Sequence, residues 1–181
     1  VDAANFVPQH RERIFMMGFR NNLGIDFNIN DIEIVNKNPK LKEILTPHEK
    51  VDEKYTISDK LWSYLKKYKE KHRKRGNGFG YSIADPEGVT RTMSARYYKD
   101  GSEILIRQPG GKNPRMLTEK EAARLFGFLK EYKRVYEEEF EIPVSKTQAY
   151  QQFGNSVCVP LVSLLANEME KVLKENQKNK N

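Results

Sequence analysis

Two arginines near the start of the chain could hold oxygen atoms. Arg11 and Arg13 are separated by one residue, directly before the apolar run of residues 14–19. In an extended chain, side chains two residues apart point to the same side, and each planar guanidinium group carries a fork of donors. The spacing therefore indicates a site that holds a phosphate or a carbonyl oxygen. A surface ion-pair cluster with Glu12 is the alternative.

A small polar turn far along the chain could meet a ligand. Gly154, Asn155 and Ser156 precede an apolar segment that continues into a helical pattern. Such a turn offers backbone donors and short polar side chains at the start of a helix. Turns of this composition are common, so the pattern alone does not identify a ligand.

The chain contains one cysteine, Cys158. One cysteine excludes an internal disulfide framework and a multi-cysteine zinc site, and it is compatible with a reducing compartment. We therefore expect no metal and a cytoplasmic location. Because Cys158 follows the polar turn in an apolar setting, the sequence predicts a small buried hydrophobic residue and not a nucleophile.

The charge distribution favours a polyanionic partner. The 181 residues include 32 Lys and Arg against 25 Asp and Glu, a net charge of +7. Seven of these cations and one acid fall within residues 66–75. Phosphate contact and a solvated helix end both explain such a run. The longest apolar stretch, residues 157–166, is far shorter than the roughly 20 residues that span a bilayer, so no membrane contact is expected.

Hydrophobic periodicity predicts the elements that position these residues. A helix begins at Ser58 and Asp59, with Leu61, Trp62, Tyr64, Leu65 and Tyr68 on one side. Thr118 begins a second helix through a capping box with Glu121, and Gly127 ends it. A final helix follows Pro160, and the tail from Lys174 is expected to fray.

Short strands and a connector complete the predicted elements. Residues 89–93 and 103–106 are strand candidates separated by a turn at Gly101, and residues 129–145 are interpreted as a charged connector. Residues 14–19 predict a strand covered on both faces. Too few residues precede this strand to build its sheet, so we expect it to complete a sheet formed by a missing N-terminal portion or by another polypeptide.

Three segments together resemble the late motifs of the cytosine-5 DNA methyltransferase family. They occur in the family's order and contain the Gln-x-Arg-x-Arg motif at residues 9–13, the Arg-x-Leu-Thr helix motif at 115–128 and the Gly-Asn-Ser-Val motif at 154–157. Between the first two, residues 75–81 and 90–101 resemble the recognition region of the Dcm group of bacterial enzymes. The resemblance covers nearly the whole chain.

The resemblance implies a mixed α/β fold. Residues 1–28 would be the C-terminal end of a Rossmann-like catalytic domain that uses S-adenosylmethionine. Residues 29–145 would form a small target-recognition domain. Residues 146–181 would return, with a C-terminal helix, to pack on the catalytic domain, and double-stranded DNA would lie between the two domains.

The resemblance also implies an activity. The intact enzyme would transfer a methyl group from S-adenosylmethionine to cytosine in duplex DNA, at a CCWGG-like site where W is A or T, in DNA methylation or restriction–modification. The family's Pro-Cys nucleophile, Glu-Asn-Val acid and Phe-x-Gly-x-Gly cofactor loop do not occur in this sequence. The chain alone is therefore expected to be inactive. A non-catalytic DNA-binding specificity subunit or remnant is the alternative, and a generic basic nucleic-acid-binding protein is another.

Individual site residues follow from the matched motifs. Arg13 would hydrogen-bond the flipped cytosine, with Gln9 and Arg11 ordering the pocket. Asn155, Ser156 and Val157 would line the cofactor side. The residues that would contact DNA lie in the two Dcm-like segments: Arg75, Asn77, Gly78, Phe79, Arg91, Thr92, Ser94, Arg96, Tyr97 and Lys99.

Overall fold

The computed structural model describes residues 1–178 and contains five α-helices in this range. They are α1 (Asp59–Lys74), α2 (Glu119–Leu125), α3 (Phe128–Tyr136), α4 (Lys146–Asn155) and α5 (Val159–Lys178). None of them is both long enough and apolar enough to cross a bilayer. Short 3-10 turns precede α1, at Ala3–Asn5, Asn21–Leu23, Ile29–Asp31, Leu41–Glu43, His48–Lys50 and Glu53–Tyr55.

β structure within residues 1–178 is limited to isolated bridges. The predicted strand at 89–93 forms one parallel bridge, between Thr90 and Gln9, and the one at 103–106 bridges Ile83 through Leu105 and Arg115 through Ile106. The prediction of regular strands is therefore wrong here. Each segment bonds to different partners over single residue pairs, so no ladder extends.

Residues 14–19 are extended but make no bridge among the described residues. Their side chains alternate in exposure. Ile14 and Met16 are 91% and 95% exposed, whereas Phe15 and Met17 pack against a small apolar cluster. The alternation leaves one side of the segment open among the described residues. The predicted cover on both faces, by a sheet outside this chain, stays a prediction.

The start of α1 confirms the predicted cap. The Ser58 hydroxyl accepts a hydrogen bond from the Leu61 amide, which satisfies one of the donors left free at a helix start. Leu65 is buried, but Tyr64, which was predicted on the same apolar side, is 57% exposed. The buried face of α1 is thus narrower than its aromatic content suggested.

The start and end of α2 also agree with prediction. Thr118 and Glu121 form the reciprocal capping box, and the chain leaves the helix through Gly127 at φ +82°. A Cβ at position 127 would lie 2.5 Å from Cδ of Pro160. The glycine therefore allows both the left-handed backbone and close contact with the start of α5.

The predicted connector at 129–145 contains α3, so that interpretation is wrong. The helix places aromatic rings on one side: Tyr132 lies 4.6 Å from Tyr136 and 5.3 Å from Phe140 between ring centroids, and Phe128 lies 5.6 Å from Phe153. Charged residues lie between the aromatic ones along the segment, so its composition does not indicate the apolar face of the helix.

The polar turn at 154–156 is preceded by a helix that was not predicted. Ser145 and Gln148 form a second capping box at the start of α4. Ala149, Tyr150 and Phe153 are buried, and their spacing places them on one face of the helix. Gly154 and Asn155 are therefore the last residues of α4 and not an isolated turn.

Two apolar clusters hold these elements together. The larger one joins α1, α2 and α4 to the segments around residues 93–106. The smaller one contains Ala3, Val7 and Cys158 together with Leu161 and Leu165 of α5. α5 continues to Lys178, so the chain does not fray from Lys174; the same expectation for residues 179–181 falls outside the described residues.

Candidate active site and nucleic-acid interface

Arg11 lies where three chain segments meet. Its side chain is buried, with the residue 3% exposed. Nη1 donates to the carbonyl oxygen of Met93 (3.1 Å), and Nη2 donates to those of Gly154 (2.8 Å) and Ser156 (2.7 Å). The guanidinium carbon lies 5.0 Å from the ring centroid of Phe126, close enough for a cation–π contact. One side chain thus joins residues 8–13 to Met93 and to the end of α4.

Burial alters the acid–base chemistry of Arg11 without neutralising it. Removal from water, which is the larger cause, and the positive charge of Arg13 together lower the pKa of Arg11 to about 10. At neutral pH the group still carries its charge. The three carbonyl oxygens stabilise that charge, because hydrogen bonds to an ionised group are stronger than neutral ones.

Gln9 makes a second connection between the same segments. It is fully buried, and its Oε1 accepts a hydrogen bond from the Met93 amide at 2.7 Å. Around it the two backbones exchange bonds: the His10 amide donates to the carbonyl of Thr90 (2.9 Å), and the Thr90 amide donates to that of Pro8 (2.8 Å). Nε2 of Gln9 is buried without a hydrogen-bond partner in the described part of the chain.

Gly154 allows α4 to approach residues 94–95 closely. A Cβ at this position would lie 2.3 Å from the amide nitrogen of Ala95 and 2.4 Å from the carbonyl carbon of Ser94. Both atoms belong to backbone and have little freedom to move away. Only glycine therefore fits where the end of α4 meets residues 94–95.

The two arginines of the first motif lie in different environments. Arg11 holds backbone carbonyl oxygens, and a carbonyl oxygen is one of the two partners that the spacing indicated. Arg13 is exposed, and its Nη1 donates to the neighbouring carbonyl of Glu12 at 2.7 Å. The prediction that they act as one pair is wrong, because the chain buries only the first.

The predicted cofactor residues form a partly open surface after α4. Asn155 is exposed, Val157 is 45% exposed, and the Ser156 hydroxyl donates to the carbonyl of Phe153 at 2.7 Å. An amide, a hydroxyl and an apolar side chain are a suitable mixture for a ligand that has both polar and apolar parts. The Arg11 bond to the Ser156 carbonyl fixes this surface relative to the first motif.

Cys158 is unsuited to nucleophilic chemistry. It is 3% exposed and lies in the smaller apolar cluster. Burial raises the pKa of its thiol to about 11, and the reactive thiolate is therefore scarce at neutral pH. The sequence prediction of a buried hydrophobic cysteine is confirmed.

Most residues predicted to contact DNA are open to solvent. The loop at 77–80 and the segment at 90–93 adjoin, because Nη1 of Arg91 donates to the carbonyl of Gly80 at 3.4 Å. The Phe79 ring is 65% exposed. The exposed members of the predicted set are Arg75, Gly78, Phe79, Arg91, Arg96 and Lys99.

Three further members are half-buried and have partners within the chain. Asn77 Oδ1 lies 2.7 Å from Nδ1 of His72. Thr92 donates through Oγ1 to the carbonyl of His10 at 2.6 Å. The Ser94 hydroxyl donates to Glu103 and accepts from the Arg96 amide. Through these hydrogen bonds the three side chains stabilise the conformation of the loops, and they are also partly exposed on the loop surface.

Tyr97 corrects the predicted DNA-binding set. Its side chain is fully buried, its hydroxyl donates to the carbonyl of Ile104 (2.7 Å), and the hydroxyl accepts from the Leu117 amide (2.8 Å). A side chain enclosed in this way has no surface for DNA. Its neighbours Arg96 and Lys99 are exposed because the turn at 96–100 points them outward while Tyr97 anchors it.

Sequence reasoning missed the partners that hold the first motif in place. The backbone of Met93 bonds to both side chains, because its amide donates to Gln9 and its carbonyl accepts from Arg11, and Phe126 packs against Arg11. Backbone acceptors carry no sequence signal. Gly154 did carry one, since a glycine near a helix end indicates a special angle or a close approach. No cluster of acidic, histidine and cysteine side chains within residues 1–178 is arranged to hold a metal ion.

Comparison with protein families finds one match. The family described as C-5 cytosine-specific DNA methylase matches residues 1–171. The Type II methyltransferase M.NlaX of Neisseria lactamica is 49% identical to the chain, over 92% of the chain and 49% of that protein. The DNA-cytosine methyltransferase of Escherichia coli (strain K12) is 44% identical, over 97% of the chain and 40% of that protein. The chain thus spans about half the length, or less, of these curated relatives.

Solved structures agree at the level of the fold. The crystal structure of the S. pombe Dnmt2 methyltransferase superposes with a TM-score of 0.64 at 17% identity, over 96% of the chain and 56% of that protein. A DNMT2 mutant from Spodoptera frugiperda gives a TM-score of 0.56 at 20% identity, over 95% and 55%. The arrangement of helices and bridges is therefore that of part of a methyltransferase.

Proposed function

Because the chain belongs to the C-5 cytosine-specific DNA methylase family, we propose that the intact enzyme methylates cytosine at carbon 5 in duplex DNA. S-adenosylmethionine supplies the methyl group when bound. This chain provides target recognition and one wall of the active site. The domain limits proposed from the sequence, at residues 28–29 and 145–146, assign the two functions to the recognition segment and to the flanking segments.

The Arg11 junction is the observation that carries this proposal. Catalysis on a base requires the base to leave the stack and enter a pocket, so the DNA-reading loops must be held at a fixed distance from that pocket. Arg11 bonds to Met93 on the recognition side and to Gly154 and Ser156 beside the proposed cofactor surface. A buried fork with three carbonyl partners resists displacement when DNA binds.

Within this frame Arg13 is the residue proposed to contact the extruded cytosine. Its guanidinium group is exposed, two residues after the buried Arg11, and its side chain donates to the backbone carbonyl of Glu12. It can therefore turn to an incoming acceptor, and a guanidinium group suits the carbonyl oxygen of cytosine. Gln9 and Arg11 act by positioning this segment. Asn155, Ser156 and Val157 are proposed to hold part of the cofactor.

The nucleophile must come from outside this chain. The family reaction adds a thiolate to ring carbon 6 of the base, and the one cysteine here is buried with a raised pKa. We therefore expect no methyl transfer from the chain alone. A second polypeptide or a further part of the same protein would supply the thiolate and most of the cofactor site, in the cytoplasm.

A chimera tests the proposal. The chain replaces the aligned segment of M.NlaX, and transfer of labelled methyl groups from S-adenosylmethionine to a duplex with a CCWGG-type site is measured. We expect activity from the chimera and none from the chain alone. Activity from the isolated chain would overturn the assignment of roles. An inactive chimera that folds and still binds this duplex selectively would favour the non-catalytic specificity subunit.

Two arginine variants of the chimera separate contact from positioning. Arg13→Ala should leave the melting temperature unchanged and reduce kcat strongly. Arg11→Ala should lower both, because three buried carbonyl oxygens lose their donor. Arg11→Lys should not restore the protein, since one ammonium group cannot reproduce the fork. Wild-type activity in Arg13→Ala would contradict the proposed contact with the base.

A further inference from the structure

The second half of α1 presents a stripe of cations to solvent. Lys67, Lys71 and Arg75 follow one another at intervals of four residues, Lys74 lies next to Arg75, and all four residues are exposed. The buried residue Leu65 lies on the opposite side of the helix. We refer to these four cations as the α1 stripe. It covers eight residue steps, or about 12 Å at 1.5 Å per residue.

The stripe keeps most of its charge free. Glu70 is the one acid among residues 66–75, and both of its oxygens bond to Arg73, with Lys74 at 3.9 Å. Lys67, Lys71 and Arg75 have no ion pair in the part of the chain that the structure describes. Lysines of α5 differ, because Lys171 and Lys174 each pair with a glutamate one turn earlier.

Helix electrostatics do not account for the whole stripe. Cations in the last turn stabilise the negative end of a helix, but this effect falls off within that turn. Lys67 lies two turns before Lys74. The helix-end effect therefore does not extend to Lys67, which is exposed.

The stripe continues directly into a loop proposed to read DNA. Arg75 is the C-cap of α1, and the chain passes through Gly76 to Phe79. His72 fixes this loop to the helix end: its carbonyl accepts from the Asn77 amide at 3.3 Å, and its Nδ1 lies 2.7 Å from Asn77 Oδ1. Whatever the loop contacts must lie beside the stripe.

We propose that the α1 stripe binds the phosphate backbone of duplex DNA next to the bases met by residues 77–79. This inference rests on the proposed function and adds the surface that supplies sequence-independent affinity. At one phosphate per roughly 3.4 Å of axis on each strand, a 12 Å stripe can face about three phosphates. His72 positions the reading loop relative to them.

The test measures how binding of this chain to DNA depends on salt. Binding to a CCWGG-type duplex and to a scrambled duplex is titrated by fluorescence polarisation at several salt concentrations. For Lys67→Gln/Lys71→Gln/Lys74→Gln, the slope of log K against log salt should fall in magnitude by roughly 2 to 3, about 0.9 for each lost phosphate contact. Affinity should fall by the same factor on both duplexes, because phosphate contacts carry no sequence information.

Matched variants control for net charge and for folding. The triple change Lys171→Gln/Lys174→Gln/Lys178→Gln on α5 removes the same charge and should leave the slope unchanged. Lys67→Arg/Lys71→Arg/Lys74→Arg keeps the positive charges and should leave the slope unchanged. Lys67→Gln alone, which lies outside the last turn of α1, should lower the slope magnitude by about 0.9 without lowering the melting temperature.

Two results would overturn the inference: a slope that the α1 changes leave intact, or equal effects of the α1 and α5 triples. Failure of the proposed function is a different result. The wild-type chain would then show no preference between the two duplexes, and the chimera would not transfer methyl groups, whatever the salt slopes.

Discussion

At the scale of single residues, Gly154 is required by contact and not by backbone angle. Its φ does not lie in the left-handed region, but the space where a Cβ would stand is filled by the backbone of residues 94 and 95. The glycine of the Gly-Asn-Ser-Val motif thus allows α4 to pack against residues 94–95.

A single methyl group at position 154 should therefore be costly. We expect Gly154→Ala to lower the free energy of unfolding by about 1–3 kcal/mol or more, the range for inserting atoms into a packed site. Urea denaturation followed by circular dichroism measures this. Gly18→Ala is the control, because nothing lies within 4 Å of its added carbon. Equal stabilities of the two variants would refute the contact argument.

Cys158 should react slowly with alkylating reagents while the chain is folded. We expect iodoacetamide at pH 8 to label it much more slowly in buffer than in urea, as followed by mass spectrometry, because burial raises the pKa of the thiol to about 11 from its usual 9.0. The raised pKa of the thiol also makes its contribution to stability depend on pH. The thiol's contribution to stability is full below pH 9 and is lost as the pH rises through about 11. Rapid labelling of the folded chain would show that the site is open.

At the scale of elements, the buried ion pair Arg115–Glu121 fastens α2 to the segment before it. Both side chains are fully buried, and Nη1 and Nη2 of Arg115 donate to the carboxylate at 2.8 and 2.9 Å. Glu121 also accepts from the amides of Thr118 and Thr46. The capping carboxylate therefore joins α2 to residues 115–118 and to Thr46, which gives the second sequence motif a structural role.

Removing one partner of this pair should unfold the region. We expect Arg115→Met to cost about 3–5 kcal/mol of unfolding free energy, since it leaves a buried carboxylate without its counter-charge. Thermal and urea denaturation provide the measurement. Lys112→Met breaks the exposed pair with Glu53 and should cost no more than about 1 kcal/mol. Similar costs for both variants would mean that burial does not decide the value of the pair.

The helices that were predicted correctly are those whose sequence signals are local. The starts of α1 and α2 were predicted because capping is local. The hydroxyl of Ser58 or Thr118 accepts from an amide three residues on, and at α2 the carboxylate of Glu121 also accepts from the amide of Thr118. α4 has the same signal in Ser145 and Gln148, but the polar turn that follows it drew the interpretation away from a helix. α3 was missed because its aromatic face is interrupted by charges. The regular strands predicted at 89–93 and 103–106 were wrong because bridging depends on partners far along the chain.

At the scale of the whole molecule, the candidate site is assembled by long-range contacts. The motifs indicated the family, and the family is shown, but no local pattern indicated that Arg11 would be buried against Met93, Gly154 and Ser156 while Arg13 stayed exposed. The same limit explains Tyr97, which shares a segment with exposed residues yet anchors the core. Sequence motifs predicted which segments meet; the packing decided which side chains remain free.

Recognition of a particular DNA sequence is a property of the whole surface, and Arg96 is the place to measure it. Its side chain is exposed, while its backbone amide bonds to the Ser94 hydroxyl at 3.1 Å, so the loop keeps its shape without the guanidinium group. A guanidinium fork matches the two acceptors of guanine in the major groove. We expect Arg96→Ala to reduce discrimination between a CCWGG-type duplex and a scrambled one by roughly 1–3 kcal/mol. Competition binding at fixed salt measures this difference.

The control is Arg107→Ala, an exposed arginine outside the proposed contact set, which removes the same charge and should leave discrimination intact. If Arg96→Ala weakens binding to both duplexes equally, Arg96 contacts phosphate, and base reading must lie with the loop at 77–79 or with Arg91. If Arg107→Ala changes discrimination as much as Arg96→Ala, the preference comes from net charge and the proposed reading surface is wrong. Because changes in the α1 stripe should weaken binding to both duplexes equally and Arg96→Ala should weaken binding to one, the two sets of variants separate contributions to affinity from contributions to specificity.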